Sequence, residues 1–239
     1  MKLFIITGAS KGLGLAFLEK ALSEGHFVIS LSRSAPPKHN NHLFLKHDLE
    51  KTTGLEKKLK DALAKIKNKK FESIHLINNA AVVSPIGPVE NHTEKKLRAH
   101  ININLVMPIF LTQIFVKSFK KKMCQKTITN ISSGAALRPI EGWAFYCATK
   151  SGLRMFSDCL DMETDSTVKV LSFSPGVMDT DMQAKIRGQN EKNFSRVNEF
   201  RDLKNKNLLL PAEKVATILF NLLNNSEKIN KTFYDVKEF

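Results

Sequence analysis

The fold is decided by the stretch Thr7-Gly8-Ala9-Ser10-Lys11-Gly12-Leu13-Gly14, which lies between an apolar strand pattern and a helical pattern. In such a turn Gly8 lets the chain reverse sharply, Gly12 lets the backbone approach a pyrophosphate, and Gly14 lets the helix pack close to the sheet. The helix amino end offers unpaired N–H groups and partial positive charge to the anion. A glycine-rich turn without a ligand is the alternative, but its position after an N-terminal strand favours a dinucleotide site.

The end of the second predicted strand indicates which dinucleotide binds. It is the stretch Leu31-Ser32-Arg33-Ser34, which has no acid to grip the ribose 2′-hydroxyl of NAD. Arg33 and Lys11 can instead clamp a 2′-phosphate, with a serine hydroxyl donating a further hydrogen bond. The sequence therefore predicts NADP(H). The alternative is that Arg33 is an ordinary solvated loop residue.

Short apolar runs alternate with helical patterns along the whole chain. Strands are predicted at residues 3–7, 27–31, 42–46, 73–77, 127–131, 169–174 and 231–236, and helices at 12–23, 49–67, 93–121, 144–163 and 211–223. Apolar strands that alternate with helices form a parallel sheet covered on both faces. We predict one α/β domain over residues 1–239, a doubly wound, seven-stranded parallel sheet with helices on both faces.

One segment, residues 182–210, interrupts this alternation. It is polar and rich in asparagine, and it follows the carboxyl end of a predicted strand. Structureless insertions of this length are usually lids or disordered segments. We expect it to be a substrate lid that orders when ligand binds.

The amino-acid composition narrows the classes of protein to which the chain can belong. The chain has 239 residues, 42% hydrophobic and 25% charged, which is ordinary for a globular protein. Its three cysteines form no CxxC pair, which favours a reducing compartment and argues against a structural metal site. The net charge of +14 is spread over predicted helices as scattered lysines, so we expect no nucleic-acid partner. Without an apolar run long enough for a signal peptide or a membrane span, a cytoplasmic protein is expected.

A second constellation lies further along the chain. Tyr146 and Lys150 are four residues apart on one predicted helix, hence on one face, and Ser133 precedes Tyr146 by thirteen residues. With the glycine turn, this spacing resembles the short-chain dehydrogenases/reductases over essentially the whole chain. The resemblance also covers the stretches Asn78-Asn79-Ala80-Ala81 and Pro175-Gly176-Val177-Met178-Asp179-Thr180, and Asn104 in the long helix. One departure is Ala81, where the family usually has glycine.

The resemblance implies a Rossmann fold and a set of functional residues. It makes Asn104, Ser133, Tyr146 and Lys150 catalytic. It assigns the cofactor to Gly8, Ser10, Lys11, Gly12, Leu13, Gly14, Arg33, Asp48, Asn78, Ala80, Tyr146, Lys150, Pro175, Gly176, Val177 and Thr180. Asp48 and Asn78 would lie at the adenine side, and Thr180 would bond the nicotinamide carboxamide.

The chemistry of carbonyl reduction is consistent with these roles. A phenol with its ordinary pKa near 10 is a poor proton donor at pH 7, and we expect Lys150 and the nicotinamide charge to lower the pKa of Tyr146. Ser133 would hold the substrate carbonyl in line. Pro108 has no N–H to donate to the Asn104 carbonyl, which can then hold a water that passes protons to Lys150. The alternative there is an ordinary proline kink.

Several stretches resemble one branch of the family, the sepiapterin reductase-like enzymes, and within it the bacterial benzil reductases. They include residues 131–136, 142–147, 174–183 and 233–239. This resemblance implies an NADPH-dependent reduction of one carbonyl of a 1,2-diketone to an (S)-α-hydroxyketone. Sepiapterin reductases carry an aspartate that grips the pterin where this chain has Thr232, so a diketone is preferred to a pterin.

The expected substrate pocket and its alternatives complete the predictions. Ser133, Trp143, Tyr146, Met178 and Met182 are expected to line the pocket. Trp143 and its neighbour Phe145 are alternatively residues of a subunit interface, since the family is usually dimeric or tetrameric. Two other functions stay open, a sepiapterin reductase-like pterin reductase and a non-catalytic NADP(H)-sensing protein.

Overall fold

The computed structural model describes residues 1–239 and contains one sheet of seven strands. The strands are β1 (Leu3–Thr7), β2 (Phe27–Ser32), β3 (His42–Lys46), β4 (Ser73–Asn78), β5 (Gln125–Ile131), β6 (Val168–Ser174) and β7 (Phe233–Asp235). They lie in the order β3-β2-β1-β4-β5-β6-β7, and every neighbouring pair is parallel. The doubly wound, seven-stranded parallel sheet predicted from the sequence is confirmed.

Helices cover both faces of the sheet, and this cover buries every residue of β1, β2 and β4. They are α1 (Gly12–Ser23), α2 (Leu55–Lys65), α3 (Glu94–Ile101), α4 (Met107–Phe119), α5 (Ala144–Glu163), α6 (Asp181–Arg187), α7 (Val197–Asn205) and α8 (Ala212–Asn224). α1 and α8 pack on one face around Phe17 and Leu219, and α2 and α4 pack on the other around Leu59 and Phe115. The sheet thus separates two large apolar cores.

The strand order reverses between β1 and β4, which pair side by side although residues 8–72 separate them in the chain. In open α/β sheets the ligand site lies at this reversal, beyond the carboxyl ends of the strands. The turn after β1 and the loops after β4, β5 and β6 meet at that edge. They carry most of the predicted site residues.

The long helix predicted at residues 93–121 is interrupted. A π-helical stretch at Asn102–Val106 joins α3 to α4, and Pro108 lies at the start of α4. The combined helix is long and apolar enough to cross a membrane, but several of its apolar residues, such as Met107 and Phe115, are buried in the core. We therefore interpret it as a core helix and not as a membrane span.

The segment at 182–210 is not the structureless insertion that its polarity suggests. α6 begins at Asp181, just before it, and α7 lies within it. Phe194 and Phe200 are 0% and 9% exposed, so the segment has an apolar inner side. Its many asparagines and charges face outward, and for that reason the sequence pattern concealed the two helices.

Candidate active site

The glycine turn packs tightly against the loop after β4. A Cβ at Gly14 would lie 2.4 Å from the Gly8 carbonyl oxygen, so no other residue fits there without moving α1. Asn79 donates its side-chain amide to the carbonyls of Thr7 and Gly8. The Thr7 hydroxyl accepts hydrogen bonds from the backbone N–H groups of Asn79 and Ala80. Asn79 is a site residue that the sequence reasoning missed.

The amino end of α1 is open to an anion. Lys11, the residue before the helix, provides no side-chain cap, so the first N–H groups of α1 are free for phosphate oxygens. A Cβ at Gly12 would already touch the Thr180 methyl at 3.4 Å, which brings the loop after β6 over the turn. This cradle fits the pyrophosphate of a dinucleotide.

The two cations predicted to hold a 2′-phosphate differ in their surroundings. Arg33, directly after β2, is exposed and joins none of the ion pairs of the protein. Lys11 Nζ instead lies 2.6 Å from Asp181 Oδ2 at the start of α6, and both side chains are largely exposed. A phosphate would have to compete with Asp181 for Lys11.

Two polar residues expected at the adenine side have other contacts. Asn78 is buried at the end of β4 and donates its amide to Asn130 Oδ1 at 2.8 Å, so its side chain joins strands rather than facing a ligand. Successive strand side chains alternate between faces, and therefore Asn79, not Asn78, reaches the turn. Asp48 accepts a hydrogen bond from the Glu50 N–H and caps a local turn.

The loop after β6 forms the side of the expected cofactor groove that lies opposite the glycine turn. Pro175 is buried, Val177 is exposed, and Gly176 has a φ of +70° with Val236 and Leu210 against it. Thr180 accepts a hydrogen bond from the Gln183 N–H and so begins α6. The predicted cofactor residues after β1 and β6 therefore face each other across the groove.

Tyr146, Lys150 and Ser133 are brought together as their spacing predicts. Tyr146 and Lys150 lie one turn apart on α5, both almost fully buried, with Lys150 Nζ 5.7 Å from the centre of the Tyr146 ring. Lys150 donates a hydrogen bond to the Ile131 carbonyl at 2.6 Å. Ser133, rather than its neighbour Ser132, has its hydroxyl close enough to the Tyr146 phenol to lower the pKa of that phenol.

Burial controls the protonation of this pair. It raises the pKa of Tyr146 to about 12, although the Ser133 hydroxyl acts in the opposite direction. It lowers the pKa of Lys150 to about 8, since an ammonium is costly away from water. The expected lowering of the tyrosine pKa is therefore wrong for the protein alone, because desolvation of the phenolate has the largest influence on this pKa.

Asn104 is buried in the π-helical stretch, and its side chain hydrogen-bonds with the loop after β4. Its Oδ1 accepts from the Val82 N–H at 2.9 Å and its Nδ2 donates to the Val82 carbonyl at 2.7 Å. His100, one turn earlier, lies 3.0 Å from the same Nδ2. The widened helix turn sends the Met107 N–H to the Asn102 carbonyl, and the water relay through the Asn104 carbonyl remains a prediction.

An apolar roof covers Tyr146. Trp143 stacks on Phe194 with ring centres 5.1 Å apart and meets Tyr146 edge to face at 5.4 Å. Phe200 and Met182 pack into the same cluster. Trp143 is 5% exposed, so it is buried within its own subunit and does not form a subunit interface. No local sequence pattern indicates that Phe194 and Phe200, about 50 residues further on, pack against Trp143.

Two residues that were expected to contact or select the substrate lie outside the cluster around Tyr146. Met178 packs with Leu210 against the core around α1 and α8 and is not part of the roof. The Thr232 hydroxyl donates to Asp158 Oδ1 at 2.6 Å. Asp158 is twelve residues from Tyr146 along α5, about 18 Å at the helical rise. Thr232 therefore does not discriminate between substrates within its own subunit. No cluster of three metal-binding side chains is present.

Comparison with known proteins identifies the family. The short chain dehydrogenase family model matches residues 2–191. The chain is 40% identical to the benzil reductase ((S)-benzoin forming) of Bacillus subtilis (strain 168) over the full length of both, and 30% identical to the sepiapterin reductase of Meriones unguiculatus over 92% of this chain and 90% of that protein. The crystal structure of the KRED1-Pglu enzyme superimposes with a TM-score of 0.86 at 25% identity, covering 98% of this chain and 100% of that one. The protein therefore belongs to the short-chain dehydrogenase family, oxidoreductases that use a nicotinamide cofactor.

Proposed function

We propose that the protein is an NADPH-dependent carbonyl reductase that transfers hydride to one carbonyl of a 1,2-diketone such as benzil and forms an (S)-α-hydroxyketone. The observation that carries this proposal is the arrangement of Tyr146, Ser133 and Lys150 beneath a roof built of Trp143 and other apolar side chains. A proton donor beneath aromatic and apolar side chains suits an apolar, uncharged carbonyl compound. The 40% identity to a benzil reductase supports the same substrate class.

The roles of the protein groups follow from their pKa values and contacts. NADPH, when bound, supplies the hydride. The Tyr146 phenol, with its pKa at about 12, stays protonated at neutral pH and donates its proton to the developing alkoxide. Ser133 holds the substrate carbonyl oxygen, and Lys150, mostly charged below a pKa of about 8, stabilises the phenolate and binds the nicotinamide ribose.

The preference for NADPH rests on Arg33 and Lys11. Arg33 has no acidic partner and can engage a 2′-phosphate, and the position after β2 has no acid for a ribose hydroxyl. We expect Arg33→Ala to weaken NADPH binding by roughly 10-fold or more, since a hydrogen bond to a charged group contributes about 1.5–3 kcal/mol. NADH binding should change little. Lys38→Ala, an exposed lysine in the following loop, is the matched control.

A pterin reductase is the second candidate. The chain is 30% identical to a sepiapterin reductase, and the position of Thr232 beside Asp158 removes the argument against pterins that the sequence suggested. The residues of the site alone favour the diketone because the side chains packed over Tyr146 are aromatic and apolar.

Three further expectations complete this proposal. The segment at 182–210 acts as a substrate lid, supported by its aromatic contacts with Trp143. A homodimer or homotetramer is expected because Met155 and Met162 on α5 are 63% and 88% exposed. A cytoplasmic location is consistent with three free cysteines.

The test is NADPH consumption, followed by its near-ultraviolet absorbance, with benzil and with sepiapterin. We expect turnover of benzil, weaker turnover with NADH, and loss of roughly 1,000-fold or more in Tyr146→Phe, which keeps the ring but lacks the proton. Turnover of sepiapterin alone would support the pterin reductase. NADPH binding without turnover of either compound would instead support a sensing protein.

A further inference from the structure

A buried histidine lies behind the catalytic tyrosine and belongs to none of the groups discussed for the reaction. His100 is in the last turn of α3 and is 1% exposed. Its ring meets the Tyr146 ring edge to face, with centres 6.2 Å apart. In the sequence it follows a run of charged residues and looks like part of a solvated helix.

The two shortest hydrogen bonds of His100 indicate one arrangement of its proton. Nδ1 lies 2.8 Å from the Ser84 carbonyl, which only accepts, so Nδ1 carries the hydrogen. Nε2 lies 3.0 Å from Asn104 Nδ2, which only donates, so Nε2 accepts. Both contacts require the neutral Nδ1–H form. The hydroxyl of Thr149, 3.3 Å from Nε2, donates to backbone carbonyls of α5 and does not alter this assignment.

The same contacts determine the orientation of Asn104. Its Oδ1 accepts from the Val82 N–H, and one hydrogen of Nδ2 goes to the Val82 carbonyl. The second hydrogen points to His100 Nε2. The amide is then fully satisfied, and it ties the loop after β4 to the helix turn that precedes Pro108.

We propose that His100 is a positioning residue of the active site: as the neutral Nδ1–H tautomer it holds the Asn104 amide, and through it the loop at 82–84 and the π-helical turn, in place behind Tyr146. This inference rests on the proposed reductase function. Protonation of Nε2 would place its N–H against the Asn104 N–H and break the hydrogen bond between the two residues. The reaction should therefore fail when His100 becomes charged.

The surroundings of His100 keep it neutral near pH 7. Burial has the largest influence and lowers the pKa of His100, and the nearby Lys150 charge acts in the same direction. The carbonyls of Ser84 and Phe145 favour the charged ring and act against it. Lys150 is the charged side chain that influences the pKa of His100, and acidification below the ordinary histidine range is needed to charge the ring.

The kinetic test compares two variants with a matched buried histidine. His100→Phe keeps a ring but removes the acceptor, and we expect kcat to fall roughly 10- to 100-fold, as for small misplacements of catalytic groups, with NADPH affinity nearly unchanged. His100→Gln offers an amide oxygen to Asn104 and should recover most of kcat, without the acidic fall in activity. His75→Phe is the control. His75 is fully buried in β4 and stacked on Phe4, and none of its contacts is with Tyr146. It should change the melting temperature and leave kcat alone.

The spectroscopic test does not depend on turnover. In ¹⁵N-labelled protein, the His100 ring signals, identified by their loss in His100→Gln, should show the Nδ1–H tautomer from pH 6 to 8, and the Asn104 side-chain amide signal should move in His100→Phe. An Nε2–H tautomer, or unchanged kcat in His100→Phe, would overturn the inference. A wild-type protein that reduces neither benzil nor sepiapterin would refute the proposed function instead, and the NMR signals would still decide the role of His100.

Discussion

The two sides of the site are built in different ways. The cofactor side, residues 7–14, is held by backbone contacts between neighbours in sequence and by the amide of Asn79. The substrate side is a roof in which Trp143 stacks on Phe194 and contacts Phe200. Backbone dipoles form a rigid site for an anion, whereas packed aromatic side chains form an apolar surface that substitution can reshape. An exposed ion pair, Lys11–Asp181, connects the two sides.

The largest effect is expected on the cofactor side. Gly14→Val would place atoms within about 2.4 Å of the Gly8 carbonyl and push α1 away from the turn. If two charge-assisted N–H bonds to phosphate are lost, at about 1.5–3 kcal/mol each, NADPH binding weakens roughly 100-fold or more. Isothermal calorimetry measures this. Gly188→Ala, whose added Cβ meets only ordinary contacts, is the control, and equal affinities in the two variants would refute the packing argument.

On the substrate side, Phe194→Ala should loosen the roof without affecting cofactor binding. Phe194 is fully buried, and truncation of a buried phenylalanine typically costs about 3–5 kcal/mol of packing. We expect the KM for benzil to rise roughly 10-fold and the emission of Trp143, the single tryptophan, to shift to the red. Leu208→Ala, at an exposed position of the same segment, should do neither. A loss of NADPH affinity in Phe194→Ala would show that the two sides are not independent.

Between the two sides lies Lys150, whose buried charge destabilises the fold. Its pKa is lowered from 10.5 to about 8 in the native state, so the unfolded chain binds one more proton between these values and stability rises with pH over that range. Below pH 8 the buried ammonium lowers the free energy of unfolding by its full amount, roughly 3 kcal/mol. Lys150→Met should therefore unfold at higher denaturant concentration than the wild type at pH 7, and the difference should shrink towards pH 10.

The same group sets the alkaline limit of the reaction. Reduction should decline above about pH 8 as Lys150 loses its charge, while Tyr146, with its pKa at about 12, keeps its proton. A pH profile of kcat/KM checks this. Activity that stays constant to pH 10, or stability curves of wild type and Lys150→Met that run parallel, would contradict the role of burial.

The smallest effect concerns the ion pair between the two sides. Asp181→Asn removes the carboxylate that competes with phosphate for Lys11, so NADPH should bind a few-fold more tightly at low salt. Because both side chains are exposed, the gain should vanish at high ionic strength. In a Lys11→Ala background the substitution should have no effect, and a gain there would disprove the competition.

Sequence spacing predicted those parts of the site that lie within one element or turn. The glycine turn and the pair Tyr146 and Lys150 were found because residues on a single turn or helix face have fixed relations. The family resemblance assigns Asn78 to the cofactor, whereas Asn79 reaches the turn, because the strand register decides which of two neighbours faces the turn. His100 could have been found from its position one helical turn before Asn104.

By itself the sequence determined the parallel doubly wound sheet and the place of the phosphate turn, because apolar runs, helical periodicity and glycine positions are local properties of the chain. Only the tertiary structure decided that the segment at 182–210 folds over Trp143 and that Thr232 lies far from Tyr146. It also decided the protonation of Tyr146 and Lys150. The physical reason is that burial depends on which distant residues pack together, and desolvation, which has the largest influence on the pKa values of Tyr146 and Lys150, follows from burial.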